Sequence, residues 1–414
     1  MASETTVASP IVLPAHRWWT GRAAVAFGGV AAVVTVVFSV LSLVPHLLPV
    51  DFLVYRSSVP VLLHGGDLYD GNLTDPKLGP GGMPFTYTPF AAIALTPTGL
   101  LGWHAAFVCW TVLSVAVIAA VVLVFGRTAP GAAVRPRQVV ILVLACGTTI
   151  AVQHLVYGQI NLLLMALVLV DVLGPRRLFG RQRPVGVLIG VAAAIKLTPA
   201  LFIVFFAVTG QWRRCAWSTV GFVAATALGF VVLPGMSVHF WTDTVFHLSD
   251  RVDLTGHAIA SSGNNSITGA VAGLAPGSVS WTPVLVGGAA VIGLAAARIL
   301  HRRGRRIEAI VAIGLVAPML SPISWIHHWV WILPGAILVF QRLGRRSHRV
   351  GFAVVVLGLT IPGPSFADFI ASNAPALLAV APLWRESLLL SAAAIIAAML
   401  TLPSAGAGER PLPA

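Results

Sequence analysis

Apolar runs near 20 residues recur along the whole chain, separated by short connections rich in Arg or in Gly and Pro. As a helix, such a run crosses about 30 Å of hydrocarbon. The pattern predicts about twelve transmembrane helices, near 23–44, 103–126, 137–156, 160–173, 184–196, 199–210, 214–233, 281–300, 307–321, 328–341, 349–365 and 384–402. The expectation is an all-α polytopic membrane protein with one transmembrane domain, 23–402, and large loops at 45–102 and 234–280 on one side. Residues 1–22 and 403–414 lie on the other side. The first run is too long for a signal-peptide core and no small-residue cleavage site follows it, so it reads as a retained span. Several spans are too short to cross as straight helices. The pair around Lys196 and Pro199 reads as a broken hairpin, tolerated where protein or a wet cavity satisfies the backbone. Segment 85–101, with Pro84, Pro89 and Pro97 in or beside it, reads as re-entrant or surface-bound; a full crossing there would invert everything after it.

Composition excludes a soluble enzyme. Of 414 residues 57% are hydrophobic and only 9% charged, against roughly 25% charged in ordinary soluble proteins. Yet the net charge is +13 and the pI about 11.2. The basic residues form clusters at span ends: Arg17 and Arg22; Arg127, Arg135 and Arg137; Arg176, Arg177, Arg181 and Arg183; Arg213 and Arg214; Arg298 to Arg306; Arg342 to Arg349; and Arg410. Placing all of them in the cytoplasm puts 21 of the 26 basic and four of the 13 acidic residues inside, a net +17 against −4 outside. The basicity then reports orientation by the positive-inside bias, and nucleic-acid binding, which needs a solvent-exposed basic patch, is excluded. Cys109, Cys146 and Cys215 are odd in number and lie in or beside apolar runs, which fits packing and neither a disulfide framework nor a zinc site.

In this topology the unusual polar residues collect on the outer side. The first outer loop carries Asp51, Tyr55 and Arg56 on a stretch, 52–63, that can form an amphipathic interfacial helix, then Asp67, Tyr69 and Tyr87. Gln159 and Asn161 follow at a tight turn, Lys196 in the broken hairpin, His239, Asp243, His247, Asp250, Arg251, Asp253, His257, Asn264, Asn265 and Ser266 in the long loop, and Trp325, His327 and His328 between two short spans. Costly polar groups converging on one face of a membrane protein mark a site. Asp51 serves either as a helix cap or as a general base. Lys196 either snorkels to the interface or meets a phosphate as a point charge. The tyrosines form an interfacial belt or a sugar platform. Gln159 and Asn161 either bond between helices or read sugar hydroxyls, and Asn264, Asn265 and Ser266 either cap a helix from Ile267 or line the site. Adjacent on one helix, His327 and His328 cannot both face one way, so one is structural; no close set of further ligands suggests a metal.

Taken in order, Asp51-Phe-Leu-Val-Tyr55-Arg56, Pro84-Phe-Thr-Tyr87-Thr-Pro89-Phe, Gly158-Gln159-Ile-Asn161, Lys196-Leu-Thr-Pro199, Asn265-Ser266-Ile-Thr-Gly269 and Ser321-Pro322-Ile-Ser324-Trp325-Ile-His327-His328 resemble glycosyltransferase family 87. Within it the chain looks most like the mycobacterial α-1,2-mannosyltransferases. It departs at Thr88, where a second proline is common. The resemblance implies a C-type membrane glycosyltransferase fold in the plasma membrane with an outward-facing site. It also implies mannose transfer from polyprenyl-phosphate mannose to a phosphatidylinositol mannoside, with inversion and an α-1,2 linkage, or branching of lipomannan by the same chemistry. Asp51 is then the base. Lys196, His327, His328 and Arg251 are candidates for the donor phosphate, and Tyr55, Arg56, Tyr87, Gln159, Asn161, Asn265, Ser266 and Trp325 for sugar and acceptor. No cofactor or metal is expected beyond the lipid-linked donor; the partners are the two lipids and the membrane. A lipid-linked sugar transporter is the main rival, since short broken helices and a midplane Lys fit transporters too, but no internal repeat is evident.

Overall fold

The computed structural model describes residues 22–41, 48–78, 81–126, 133–175, 177–178, 181–252 and 258–403. The expected inner terminus before residue 22, the tail from 404, and Arg17, Arg127, Arg176, Arg410, Asp253 and His257 lie outside them.

Helix α1 (Arg22–Leu41) is followed by α2 (Val50–Leu63) and a small antiparallel pair, β1 (Asn72–Leu73) with β2 (Met83–Pro84), Asn72 opposite Pro84. Next come α3 (Pro89–Leu95), a 3-10 turn (Thr96–Gly99), α4 (Trp103–Phe125), α5 (Pro136–Cys146), α6 (Thr149–Tyr157) and α7 (Asn161–Leu173). A second antiparallel pair, β3 (Arg177–Leu178) with β4 (Arg181–Gln182), leads to α8 (Val187–Ile195), α9 (Ala200–Val208) and α10 (Trp212–Val232). The long loop contains α11 (Pro234–Thr242), α12 (Leu248–Val252) and α13 (Ile267–Leu274). The chain ends with α14 (Thr282–Arg302), α15 (Arg306–Leu320), α16 (Ile332–Arg342), α17 (Arg346–Thr360), α18 (Ser365–Asn373), α19 (Ala381–Arg385) and α20 (Ser387–Thr401).

The all-α architecture matches the apolar pattern, while the length and composition of the described helices account for four to seven of the about twelve expected spans. Among the described residues four helices are long and apolar enough to cross a membrane: α1, α4, α10, and α14 with the turn before it. The number rises to seven if each bent pair is one span: α5 with α6 (65°), α17 with α18 (72°), and α19 with α20 (58°). A straight span at 137–156 is therefore replaced by two half-helices that break at Gly147-Thr148, where Thr148 turns extended and its hydroxyl caps α6. Segment 85–101 forms only the seven-residue α3 and a 3-10 turn, too short to cross. The amphipathic interfacial helix at 52–63 is also corrected. Helix α2 is packed inside the protein rather than laid on a surface: Phe52, Leu53, Val54, Tyr55, Ser57, Ser58 and Val59 are all buried.

Packing follows membrane logic. Valines on α1, α10 and α14 stay exposed, Val25, Val231 and Val291 among them at 72%, 79% and 69%; apolar rows of this extent suit lipid rather than water. Helix α15, by contrast, is buried along its length. Helices α8 and α10 touch backbone to backbone: a Cβ at Gly190 would lie 2.1 Å from the Ser218 carbonyl oxygen, and one at Gly221 2.4 Å from that of Val187. Small residues at the contact are what allow this approach.

The polar ties fall at two ends of the bundle, and each joins segments expected on the same side. At the Arg-rich end Asp171 pairs with Arg183 at 2.9 Å and accepts the Gly186 and Ile189 amides at the start of α8. Buried Glu308 bridges Arg305 and Arg342, and Arg305 also donates to the Leu402 carbonyl at 3.0 Å. At the opposite end His239 meets Asp67 at 2.9 Å, Arg251 donates to the Tyr69 carbonyl at 2.7 Å, and Ser262 to Asp368 at 2.6 Å. Removing one partner of a buried ion pair strands the other, at a cost of about 3–5 kcal/mol. Glu308→Ala is accordingly expected to lower the thermal unfolding midpoint in detergent clearly, while the surviving folded fraction keeps its rate, because Glu308 lies at the end of the bundle away from the candidate site.

Candidate active site

Asp51 sits in the first turn of α2, whose N-cap is Pro49. The helix starts one residue before Asp51, so Asp51 is not its cap. One turn later on the same helix comes Tyr55. Its hydroxyl lies 2.9 Å from that of Tyr87, and the two rings meet edge to face. Tyr87 is held in place by its neighbours: Tyr69 donates to its carbonyl at 2.8 Å, and Thr88 both caps α3 and bonds the Ala194 carbonyl in the last turn of α8. Thr88 thus fastens the Tyr87 loop to the half-helix that ends at Lys196.

The turn between α6 and α7 brings the amides in. Gly158 adopts φ +67°, and a Cβ there would lie 2.6 Å from the Cβ of Phe52, so the turn presses against α2 beside Asp51 as only glycine allows. Buried Gln159 accepts through Oε1 from the Tyr55 hydroxyl (3.3 Å), the Asn161 Nδ2 (3.2 Å) and the Ile160 amide (3.3 Å). Gln159 also stands near enough to Asp51 to help hold its carboxyl down. Asn161 also donates to the His327 carbonyl at 3.2 Å and accepts the Lys196 ammonium on Oδ1 at 3.2 Å.

Lys196 follows the end of α8, where the backbone turns extended before the Pro199 break. Its Nζ also lies 3.2 Å from His328 Nε2 and 5.5 Å from the centre of the Tyr87 ring. His328 Nδ1 is 3.5 Å from the Ser324 hydroxyl. On the 3-10 turn Ile326–His328 the two histidine rings meet edge to face, their centroids 4.8 Å apart, and it is His328 that reaches Lys196. His327 is buried edge-on to Tyr157, with both ring nitrogens lacking a hydrogen-bond partner.

A cleft opens from this cluster. Asn161, Lys196, Ser324 and His328 line its polar end, and Leu164, Met165, Val168, Phe202, Pro318 and Trp331 its apolar wall. Burial in apolar surroundings pushes the Asp51 carboxyl up to about 6, against the opposing pull of the Gln159 hydrogen bond and the Lys196 charge. Asp51 is therefore a carboxyl that ionises nearer neutrality than an ordinary surface acid.

Other expected site residues stand apart from this network. Arg56 is spent on the Thr98 and Leu101 carbonyls (2.5 and 2.7 Å), and Arg251 on those of Tyr69 and Gly71. Asn265 bonds the Ser262 carbonyl and the Leu388 amide, while Ser266 caps α13 through the Gly269 amide and donates to the Pro322 carbonyl. Segment Ser321–His328 is braced by Ser266, by Asn264, whose Oδ1 accepts the Ser324 amide and whose Nδ2 donates to the Pro322 carbonyl, and by the Asn265 backbone amide, which donates to the Ser324 carbonyl. Half-buried Trp325 lies against Gly263. One residue was not singled out from the sequence: buried His154, whose Nε2 accepts the Leu162 amide at 3.0 Å and so pins α6 to the start of α7. Its only sequence signal is a lone His in an apolar run. Among the described residues one group, Asp67, Asp70 and His239, brings three potential metal-ligand atoms within 4.8 Å of one another. It joins segment 45–102 to segment 234–280 and shares no hydrogen bond with Lys196, Asn161 or Gln159.

Residues 85–322 match the model of glycosyltransferase family 87. The chain belongs to that family. Among curated relatives, this glycosyltransferase is 34% identical over 325 residues to a polyprenol-phosphate-mannose-dependent α-(1-2)-phosphatidylinositol mannoside mannosyltransferase of Mycobacterium tuberculosis, covering 74% of each chain. It is 31% identical to a phosphatidylinositol pentamannoside mannosyltransferase of the same dependence and organism, covering 76% of this chain and 72% of the relative. A Mycolicibacterium smegmatis phosphatidylinositol mannoside mannosyltransferase is 32% identical, with 80% and 78% covered. No solved structure matches the glycosyltransferase.

Proposed function

We propose that this protein transfers mannose from polyprenyl-phosphate mannose to a phosphatidylinositol mannoside, inverting the anomeric centre to form an α-1,2 linkage at the outer face of the plasma membrane. The observation that carries the reading is an ammonium held by an amide and an imidazole at the polar end of an apolar-walled cleft, with the Asp51 carboxylate near enough to feel its charge. The donor has the same form, a charged phosphate on a long hydrocarbon. The donor and linkage in the names of the relatives support the choice of substrate.

In the step itself, Asp51 takes the proton of the acceptor's 2-hydroxyl as its oxygen bonds the anomeric carbon. The bond from that carbon to the phosphate oxygen breaks on the opposite face, and its electron pair leaves with polyprenyl phosphate. One carboxylate is enough, as on the base side of inverting glycosidases. The Lys196 ammonium has three N–H groups; Asn161 and His328 occupy two, leaving one to meet the growing charge on the leaving phosphate. No cofactor enters beyond the lipid-linked donor.

The test is purified protein in detergent with synthetic β-mannosyl polyprenyl phosphate and phosphatidylinositol mannosides of increasing mannose number, read by mass spectrometry and α-1,2-specific mannosidase digestion. One added hexose, removed by that enzyme, is expected on at least one acceptor. Absence of product with every acceptor overturns the reading and returns the transporter rival, which needs two compartments and forms no new bond.

A further inference from the structure

We propose that the Arg-rich end of the bundle binds the headgroup of an anionic phospholipid at the start of α17, with the acyl chains along the exposed valines of that helix. The inference is independent of the reading of Asp51.

The first argument is charge. The turn between α14 and α15 holds four arginines from Arg302 to Arg306, and the stretch from Arg342 to Arg349 holds four more. Printed side by side they would repel, yet the fold gathers them. Arg303 donates to the Leu400 carbonyl at 2.6 Å and Arg305 to that of Leu402, while Glu308 on α15 bridges Arg305 to Arg342 at the end of α16. Glu308 is the one acid in these two stretches, so eight positive charges meet one negative. That acid is already committed: Arg305 Nε lies 3.3 Å from its Oε1, and Arg342 pairs with the same oxygen. Arg305 is only 4% exposed, yet its Nη2 has no hydrogen-bond partner among the described residues. A buried donor left unpaired is costly, more so on a charged group. An anion at the rim of this bridge offsets the excess charge.

The second argument is the helix start. The amino end of a helix carries partial positive charge and favours acids. Helices α15 and α17 both run against this preference. Arg305 and Arg345 stand at their N-caps, Arg306 and Arg346 follow, and neither cap gives a side-chain bond to the open amides. In α15 the conflict is met within the chain, because Glu308 lies in its first turn. In α17 the first turn holds no acid. Open amides and arginines at one helix start are together the donor set of a phosphate site.

The third argument is place. Helix α14 is long and apolar enough to cross a membrane and ends at Arg302, and α17 with α18 is a bent pair of the same apolar character. The arginines therefore lie where hydrocarbon gives way to headgroups, the setting in which basic pockets between helices hold anionic lipids. Arg346, Val350 and Val354 are spaced four apart and so form one stripe of α17. All three are exposed, the valines at 55% and 65%. A charged head above an apolar row matches a phospholipid, whereas a free phosphate leaves the row uncovered.

The experiment uses the full chain in neutral detergent with dioleoyl phosphatidylglycerol, read by native mass spectrometry and by the thermal unfolding midpoint. Retained phosphatidylglycerol and a midpoint rise of about 3 °C or more are expected; phosphatidylcholine with the same chains gives neither. Arg345→Gln/Arg346→Gln should weaken retention about tenfold or more. Arg135→Gln/Arg213→Gln removes two exposed charges near the starts of α5 and α10, and should leave retention within about twofold, since charges beyond a Debye length are screened. Equal retention of the two lipids overturns the proposal, and so does a loss as large in the second pair of substitutions, which shows only a diffuse field. Inorganic phosphate that raises the midpoint as much as phosphatidylglycerol overturns it in favour of a free anion. Should the Arg345→Gln/Arg346→Gln protein fail to fold, Arg346→Gln alone must still lower retention, and unchanged retention overturns the proposal.

Discussion

Asp51→Asn is expected to lower kcat/KM for mannosyl transfer by about 10²–10⁴-fold, the usual contribution of a general base, while the protein still folds and binds donor. Asn keeps the shape of Asp. What it cannot do is take a proton from the attacking hydroxyl. The same carboxyl sets the pH dependence. The base works only when ionised, and burial holds its pKa at about 6, above the ordinary carboxylate range. In the wild type kcat/KM therefore rises with pH through about 6 and levels off above it. Below that point it falls tenfold per pH unit. Asp51→Asn should show the small residual rate without this limb. Initial rates from pH 4.5 to 8, with gel filtration as a check of folding, decide the matter; near-normal transfer by the variant would sink the assignment.

The second large effect belongs to Lys196. Lys196→Met removes the ammonium but keeps the length of the chain and spares the protein the burial of a cation. If the lysine stabilises the departing phosphate, kcat/KM drops by about 10²–10³-fold, the range seen when one preorganised donor to a developing negative charge is lost. Two further consequences separate this role from simple packing. Asp51 loses a favourable positive neighbour, so the acid limb of the variant moves upward. Lys196→Arg restores charge without restoring rate, because a planar fork cannot reproduce the contacts of a compact ammonium with Asn161 and His328. A loss below about fivefold for Lys196→Met would remove Lys196 from the chemistry.

How much of this was legible in the sequence depends on the kind of interaction. The helices were legible because an apolar run announces itself over 20 residues. The non-crossing nature of 85–101 was legible because Pro84, Pro89 and Pro97 break any long helix. The bends at Gly147-Thr148 and between α17 and α18 were not, since an apolar run reads the same straight or folded. Asp51, Gln159, Asn161 and Lys196 stood out because charges and amides are rare in such runs, and the fold does bring these four together. The roles of Arg56, Arg251, Asn265 and Ser266 could not be read. Their partners are backbone carbonyls and amides, mostly far along the chain, and every residue has those, so sequence holds no mark of which ones come within reach. The choice between His327 and His328 turned on one 3-10 turn, whose register sets which ring faces Lys196.

The ties of segment 45–102 have a consequence of their own. Arg56 holds the carbonyls of Thr98 and Leu101, Tyr69 that of Tyr87, Thr88 that of Ala194, and Arg251 those of Tyr69 and Gly71. None of these bonds waits for a ligand. The entropy of ordering this loop is thus spent once, when the chain folds, and not again with each lipid that arrives. Two greasy, flexible substrates must then lose freedom against a wall that loses none, which leaves more of their binding energy to align hydroxyl, anomeric carbon and phosphate.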